Sequence, residues 1–385
     1  MGPATLLPVV TDAIAISVRR ATPADAPAQC ALLAGVAMDA DLALSVRRDP
    51  DFDALYRLQA RHWESWVVEV DGVVEGTGTV LVRDGYLDGS RIRVGYLGDL
   101  RFSPRAEGRQ LLDRLYGPIL RSASEQFGCD YFLTAIIASN ARARRALTIV
   151  TRRSTQRGRP VYTPLRSFDI RSLHLAVPRL RERLAYTVRR ATTADVPALA
   201  RFLDLDARAR PFGYVLDEAE LRRRLASWPG LSAHAFHLAE DGAGRLAGCL
   251  ALWDAAPVKR TIVDAYRGAM KRVRIAHDIA ARLLRRPLLP ALGGAFHYQY
   301  ATHVTVPSRD PAVLRALLQS AYAAARADGC HFLSICAPVA DALEPAYRGY
   351  LKTDLRAELH LVTLPGVPRP AAGDDAWPGF EMALV

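Results

Sequence analysis

The chain has 385 residues, half of them hydrophobic and about a quarter charged, and a formal net charge of +11. No apolar run reaches the roughly 18 residues that a membrane span needs, and five scattered cysteines without a Cys-x-x-Cys pair argue against a disulfide framework and a thiolate metal site. The basic balance favours an anionic partner, but three lysines (Lys259, Lys271, Lys352), no basic block and no aromatic–basic alternation argue against nucleic acid. The length is enough for two or three domains, and a reducing cytoplasm is the expected compartment.

Residues 1–15 read as an N-terminal arm. Ser17–Arg20 reads as a short strand leading into a helix, with Thr22 as N-cap before Pro23. A second helix is predicted over Asp51–His62. WVVEV and VVEGTGTVLV form a hairpin turning at Asp71-Gly72, and RIRVGYLGDLRF is a long strand. Gly108–Phe127 is an amphipathic helix with Leu111, Leu112, Leu115, Ile119 and Leu120 on one face. YFLTAII is a buried strand, Asn140–Thr148 a short helix, and VYTPL with IRSLHLAV closes the unit. This order gives a mixed α/β sheet with helices on both faces.

The chain then repeats itself. VRRATPADAPAQCALL (18–33) and VRRATTADVPALARFL (188–203) share ten of sixteen positions at an offset of 170. Asp71-Gly72 recurs as Asp241-Gly242 at that offset, and GCDYFLTAI (128–136) recurs as GCHFLSICA (329–337) at an offset of 201. So period and insertion give two tandem units, 16–175 and 186–365, with a linker at 176–185, a tail at 366–385 and 31 residues added to the second unit.

The long strand, the loop after it, the opening VRRATPADAP and Asn140 together resemble the GNAT superfamily of N-acetyltransferases. The family's loop reads Arg/Gln-x-x-Gly-x-Gly/Ala, matched here by Arg105 and Gly108, with Gln110 where the family has Gly or Ala. The resemblance implies that acetyl-CoA or another acyl-CoA is the co-substrate, with its pyrophosphate at Arg105, Glu107, Gly108, Arg109, Gln110 and Leu111. A helix N-terminus offers unpaired N–H groups and partial positive charge for such a phosphate. The resemblance further implies a pantetheine arm beside Leu100, Arg101 and Phe102, and cofactor contacts at Asn140 and Arg144. No metal is implied. In the second unit HVTVPSRDPAVLRALL (303–318) has no loop glycine, and Asp310 and Pro311 stand in place of donors, so this copy is degenerate.

Acyl transfer to an amine needs a group that accepts the amine proton and one that protonates the leaving thiolate. The resemblance makes Asp99 the expected base, with Glu75 and Glu64 as weaker candidates. The tyrosine that usually serves as acid is replaced by Leu147, and the next tyrosine is Tyr162. The Trp63/Trp66 pair is read as core packing or as the wall of an acceptor pocket. His234-x-x-His237 is read as ordinary partly buried histidines.

The insertion, 254–292, holds nine basic and three acidic residues. Ile262, Val263, Tyr266, Met270, Val273, Ile279 and Leu283 fall near helical spacing, so one long amphipathic helix is predicted, ended by Pro287 and Pro290. It is read as packing on its own protein, lying on an anionic membrane, or lining an acyl or acceptor channel. The expected activity is acetyl transfer to an amine by the first unit. The alternatives are an inactive acyl-CoA sensor or scaffold, and acyl transfer at a membrane surface. The acceptor is a small-molecule or protein amine, and a homodimer is compatible with the pattern.

Overall fold

The computed structural model describes all residues except 1–5, 12–13, 36–40, 107–110, 112–115, 150–158, 180–181 and 371–376. The first half runs β1 (Leu6–Thr11), β2 (Ile14–Arg20), α1 (Ala26–Ala34), β3 (Leu42–Arg47), α2 (Ala54–Gln59), β4 (His62–Val70), β5 (Val73–Leu87), β6 (Ser90–Phe102), α3 (Gly117–Phe127), β7 (Tyr131–Ile137), α4 (Ala141–Thr148) and β8 (Val161–His174). The second half runs β9 (Thr187–Arg190), α5 (Val196–Arg208), β10 (Gly213–Tyr214), α6 (Glu218–Ser227), β11 (Phe236–Glu240), β12 (Leu246–Trp253), β13 (Arg260–Tyr266), α7 (Gly268–Leu283), β14 (Tyr298–Thr305), α8 (Pro311–Ala327), β15 (Phe332–Pro338) and β16 (Lys352–Thr363).

The repeated opening has a structural cause. Arg19 forks onto Asp25 at 2.8 Å and reaches Glu69 at 2.6 Å. Arg189 does the same with Asp195 at 2.7 Å and Glu240 at 2.8 Å. Each acid also accepts from the main chain of its capping threonine, Thr22 or Thr192. The motif thus clasps the strand, the helix start and the next strand in both copies. The Asp71-Gly72 hairpin has both residues at positive φ, 52° and 77°, as a two-residue turn between twisted strands requires.

The two copies share one sheet, in the order β1-β2-β4-β5-β6-β7-β16-β8-β15-β14-β12-β11-β9. The order reads the same from either end of the repeat, with the closing strands exchanged. β16 of the second copy lies between β7 and β8, and β8 of the first lies between β16 and β15. Cross-strand pairs fix this register: Arg171 opposite Asp354 at 2.8 Å and Arg356 opposite Asp169 at 2.6 Å. One apolar cluster includes Leu55, Val94, Leu133 and Phe168 with Trp228, Phe236 and Trp253, so the copies bury their surfaces in a common core.

Four expectations change. Within the expected arm, Leu6–Thr11 is a strand paired with β2. The second helix is confined to Ala54–Gln59. In the insertion only Gly268–Leu283 is helical. Arg260–Tyr266 forms a strand against β3, where Ile262 and Val263 are buried. The expected tail is packed at Met382, Ala383 and Leu384, which are buried in the shared core.

Candidate functional site

The site begins where β6 and β7 part. They pair in parallel only from Val94–Tyr131 to Tyr96–Leu133. Beyond that point β7 pairs on its other side with β16, and β6 continues to Phe102 against β5 alone. The Thr134 hydroxyl closes the apex by donating to the Leu97 carbonyl at 2.9 Å. Past the apex, β6 has an open edge among the described residues, and a main-chain edge of this kind accepts an extended ligand.

A bulge aims this edge. Thr77 opposes Arg101 and Thr79 opposes Gly98, so Asp99 and Leu100 together face the single residue Gly78. Asp99 takes a left-handed φ of 51°, which aspartate tolerates better than most residues. Its carboxylate accepts from Arg48 Nη1 at 2.5 Å and from the Tyr56 hydroxyl. Arg48 is almost wholly buried and stacks over the rings of Phe52 and Tyr56. Burial pushes the Asp99 carboxyl up, but Arg48, Arg101 and the Tyr56 hydroxyl outweigh it and hold it below the ordinary carboxylate range. Asp99 is therefore ionised and a weak proton acceptor.

Beside the bulge, under α3, lies an apolar slot with about 550 Å³ of empty space, part of it open to solvent. Trp66, Val80, Leu100, Phe102, Tyr116 and Ile119 line it, with Leu111 at the helix side. Gly78 and Gly98 are on its wall too. Trp66 is thus both core and slot lining, whereas Trp63 packs with a separate apolar cluster.

The structure brings Asp99, Leu100, Phe102 and Leu111 around the bulge and slot. Glu107, Gly108, Arg109 and Gln110 lie outside the described residues. Arg101 donates to the Leu100 carbonyl at 3.0 Å. Arg105 pairs with Glu75 at 3.0 Å and with Asp71 at 3.6 Å. Asn140 caps α4 by accepting from the Ala143 N–H at 2.9 Å, and Arg144 lies 3.6 Å from Glu358. Glu64 is buried against Arg20, and burial raises its pKa. Leu147 and Tyr162 pack together in the core under α3.

Sequence reasoning missed a polar cluster behind the bulge. Lys259 is buried, stands 4.8 Å from the centre of the Tyr300 ring, and donates to the main-chain oxygens of Ala383 at 3.3 Å and Val385 at 2.5 Å. Burial, reinforced by Arg48, lowers its ammonium to about 7. Glu381 is half-buried nearby, and desolvation raises its carboxyl. One signal was available: a lysine is rare in a chain that uses arginine for nearly every other cation.

The second copy builds the same fork and fills it. β14 and β15 pair from Tyr298–Phe332 to Ala301–Ile335. His303, two residues on, donates its N–H to Glu381 Oε2 at 3.0 Å. At the start of α8 the Asp310 carboxylate accepts from Ala312 N–H at 2.8 Å and from the Tyr186 hydroxyl at 2.9 Å. An acid therefore caps the N-terminus of this helix. His237 is buried on β11 with Nδ1 2.8 Å from Ser320 Oγ. Among the described residues no cluster of three metal-ligating side chains occurs.

No protein-family model and no curated protein matches the sequence. Solved structures do. A GCN5-related N-acetyltransferase from Sphaerobacter thermophilus superposes with a TM-score of 0.56 at 18% identity, covering 92% of this chain and 98% of that one. Saccharomyces cerevisiae N-myristoyltransferase with bound myristoyl-CoA superposes with a TM-score of 0.58 at 9% identity, covering 94% of this chain and 86% of that one. With the forked strands and the bulge, these likenesses establish that the chain has the GNAT fold.

Proposed function

We propose that the protein is an acyl-CoA-dependent N-acyltransferase whose first copy binds the thioester and whose second copy does not. The observation that carries this reading is the contrast between the forks. The first is open along β6 and leads to an apolar slot, whereas the second is occupied by Glu381 and capped by Asp310. The structural neighbours include an N-acetyltransferase and an N-myristoyltransferase bound to its acyl-CoA, which supports the same class.

In this reading the pantetheine lies along β6 past Gly98, and the loop at 105–111 takes the pyrophosphate. The acceptor nitrogen forms a bond to the acyl carbon, the carbon–sulfur bond breaks, the amine loses a proton and the thiolate of coenzyme A gains one. Asp99 is too well stabilised as an anion to be an efficient base. Its proposed part is to draw and orient the acceptor ammonium, with water or a second group taking the proton. Acetyl is the proposed acyl group, and a longer chain is the competing one, because the slot is apolar.

The test is thermal unfolding with acetyl-CoA, free CoA and a long-chain acyl-CoA, on the parent, Gly108→Glu and Leu100→Trp. A ligand at about a hundred times its dissociation constant adds roughly 2.7 kcal/mol, a rise of about 2–4 °C for a chain this long. The rise should occur in the parent and vanish in Gly108→Glu. Leu100→Trp should lower the response to the acylated forms more than to free CoA. No rise with any thioester overturns the reading. A rise without thiol release across a panel of amines replaces it with a sensor.

A further inference from the structure

Helix α7 presents an apolar stripe to solvent. Ile275, Ile279 and Leu283 recur at four-residue spacing, and all three stand more than half exposed. The opposite face does the packing. Ala281 is buried, Met270 packs against the shared core, and Arg274 lies over the Tyr266 ring at 4.7 Å. An amphipathic helix normally turns its apolar face inward, and this one also turns an apolar face out. Of the fourteen large hydrophobic side chains exposed among the described residues, seven fall between 273 and 292.

The charge around the stripe is one-sided. Residues 267–292 contain seven basic side chains and one acid. Lys271, Arg272 and Arg282 are exposed on the stripe and its flank. The acid, Asp278, faces inward, accepts from the Leu289 N–H at 3.0 Å and lies beside Arg274. Exposed leucine and isoleucine bordered by arginine and lysine match the boundary of an anionic bilayer, where apolar side chains enter the acyl region and long basic ones reach the headgroups. The same charge argues against a second copy as the occupant, because a two-fold contact would set this basic patch against itself.

We infer that α7 is a docking face for an anionic lipid bilayer, which holds the protein at the membrane surface without crossing it. The inference stands on α7 alone and does not depend on what the fork binds. The experiment is co-sedimentation of the full chain with phosphatidylcholine vesicles, with and without phosphatidylglycerol, at low and high salt. The protein should pellet with the phosphatidylglycerol vesicles at low salt, and high salt should release it. Arg272→Gln should weaken that binding about fivefold. Ile279→Asp with Leu283→Asp should reduce it to background and leave the melting temperature unchanged, since both side chains stand in solvent. Absence of binding to the anionic vesicles overturns the inference, as does undiminished binding of the double variant. A concentration-dependent dimer in light scattering that the double variant abolishes, without vesicle binding, makes the stripe a self-association face instead.

Discussion

Asp99 and His303 occupy the same place in the two copies, each the left-handed residue of a bulge in the strand before the long helix, with φ of 51° and 52°. Each meets a buried arginine. Asp99 lies 2.5 Å from Arg48, and His303 Nε2 lies 3.0 Å from Arg224 Nη1. The backbone device has survived in both halves, and the chemistry has diverged. In the first half the arginine sustains an anion beside an open edge. In the second, burial and Arg224 keep the imidazole neutral, and its main-chain N–H is spent on Glu381.

The Asp99 pair gives the first prediction. Replacing Asp99 by asparagine leaves the Arg48 guanidinium buried without a counter-charge, which costs about 3–5 kcal/mol. Since the folded pKa is depressed, the pair's stabilisation is present above the unfolded value and is lost as pH falls through the folded one. Denaturant unfolding should show Asp99→Asn less stable at pH 7, with a weaker acid dependence below about pH 4. Equal stability of parent and variant at neutral pH would show that the pair contributes nothing. If Asp99 orients the acceptor, the variant's KM for the amine should rise more than its kcat falls.

A second prediction concerns acid sensitivity at milder pH. Burial, with Arg190 adding to it, lowers the His237 imidazole to about 3. The unfolded chain therefore binds a proton below about pH 6.5 that the folded chain refuses until far lower. Stability should fall as pH drops through this window, by about 2 kcal/mol at pH 5 from this residue alone. His237→Gln retains a side chain able to bond Ser320 and does not titrate. Urea unfolding at pH 7 and pH 5 should show a smaller difference for the variant than for the parent, and an unchanged difference would remove His237 as its source.

Local patterns carried the first copy further than the second. The Asp71-Gly72 turn was legible because turn chemistry acts within a few residues, and the strand at 90–102 because its run of extended-favouring residues is unbroken by proline. The stretch 260–266 was not. Ile262, Val263 and Tyr266 fit a helical spacing, and what makes them a strand is pairing with Leu42–Arg47, more than two hundred residues earlier in the chain. The C-terminal segment shows the same limit. It read as a tail, but Met382–Leu384 fill a gap between the juxtaposed copies. Asp99 was singled out through resemblance. Arg48 and Lys259, which set its surroundings, owe their roles to burial between distant segments, a property no short window of sequence contains.

Lys259 supplies the sharpest test of that buried cluster, because its prediction changes sign with pH. Its folded pKa is about 7, against an ordinary value near 10.5. Between those values the unfolded chain holds a proton that the folded chain has released, so the parent gains stability as pH rises from 7 to 10. Methionine has similar length and carries no charge to desolvate. At pH 7 Lys259→Met avoids that penalty but leaves the main-chain oxygens of Ala383 and Val385 without their donor, which costs about 1–3 kcal/mol. The net expectation is a variant more stable than the parent by about 2 kcal/mol at pH 7. Near pH 10 the penalty has gone from the parent and only the lost hydrogen bonds remain, so the variant should there be the less stable. Chemical unfolding of both proteins across this range would show the two stability curves crossing. Parallel curves would mean that Lys259 keeps an ordinary pKa in the folded protein, and that the interior between the two copies is far more polar than the packing of Tyr300, Met382 and Leu384 around it implies.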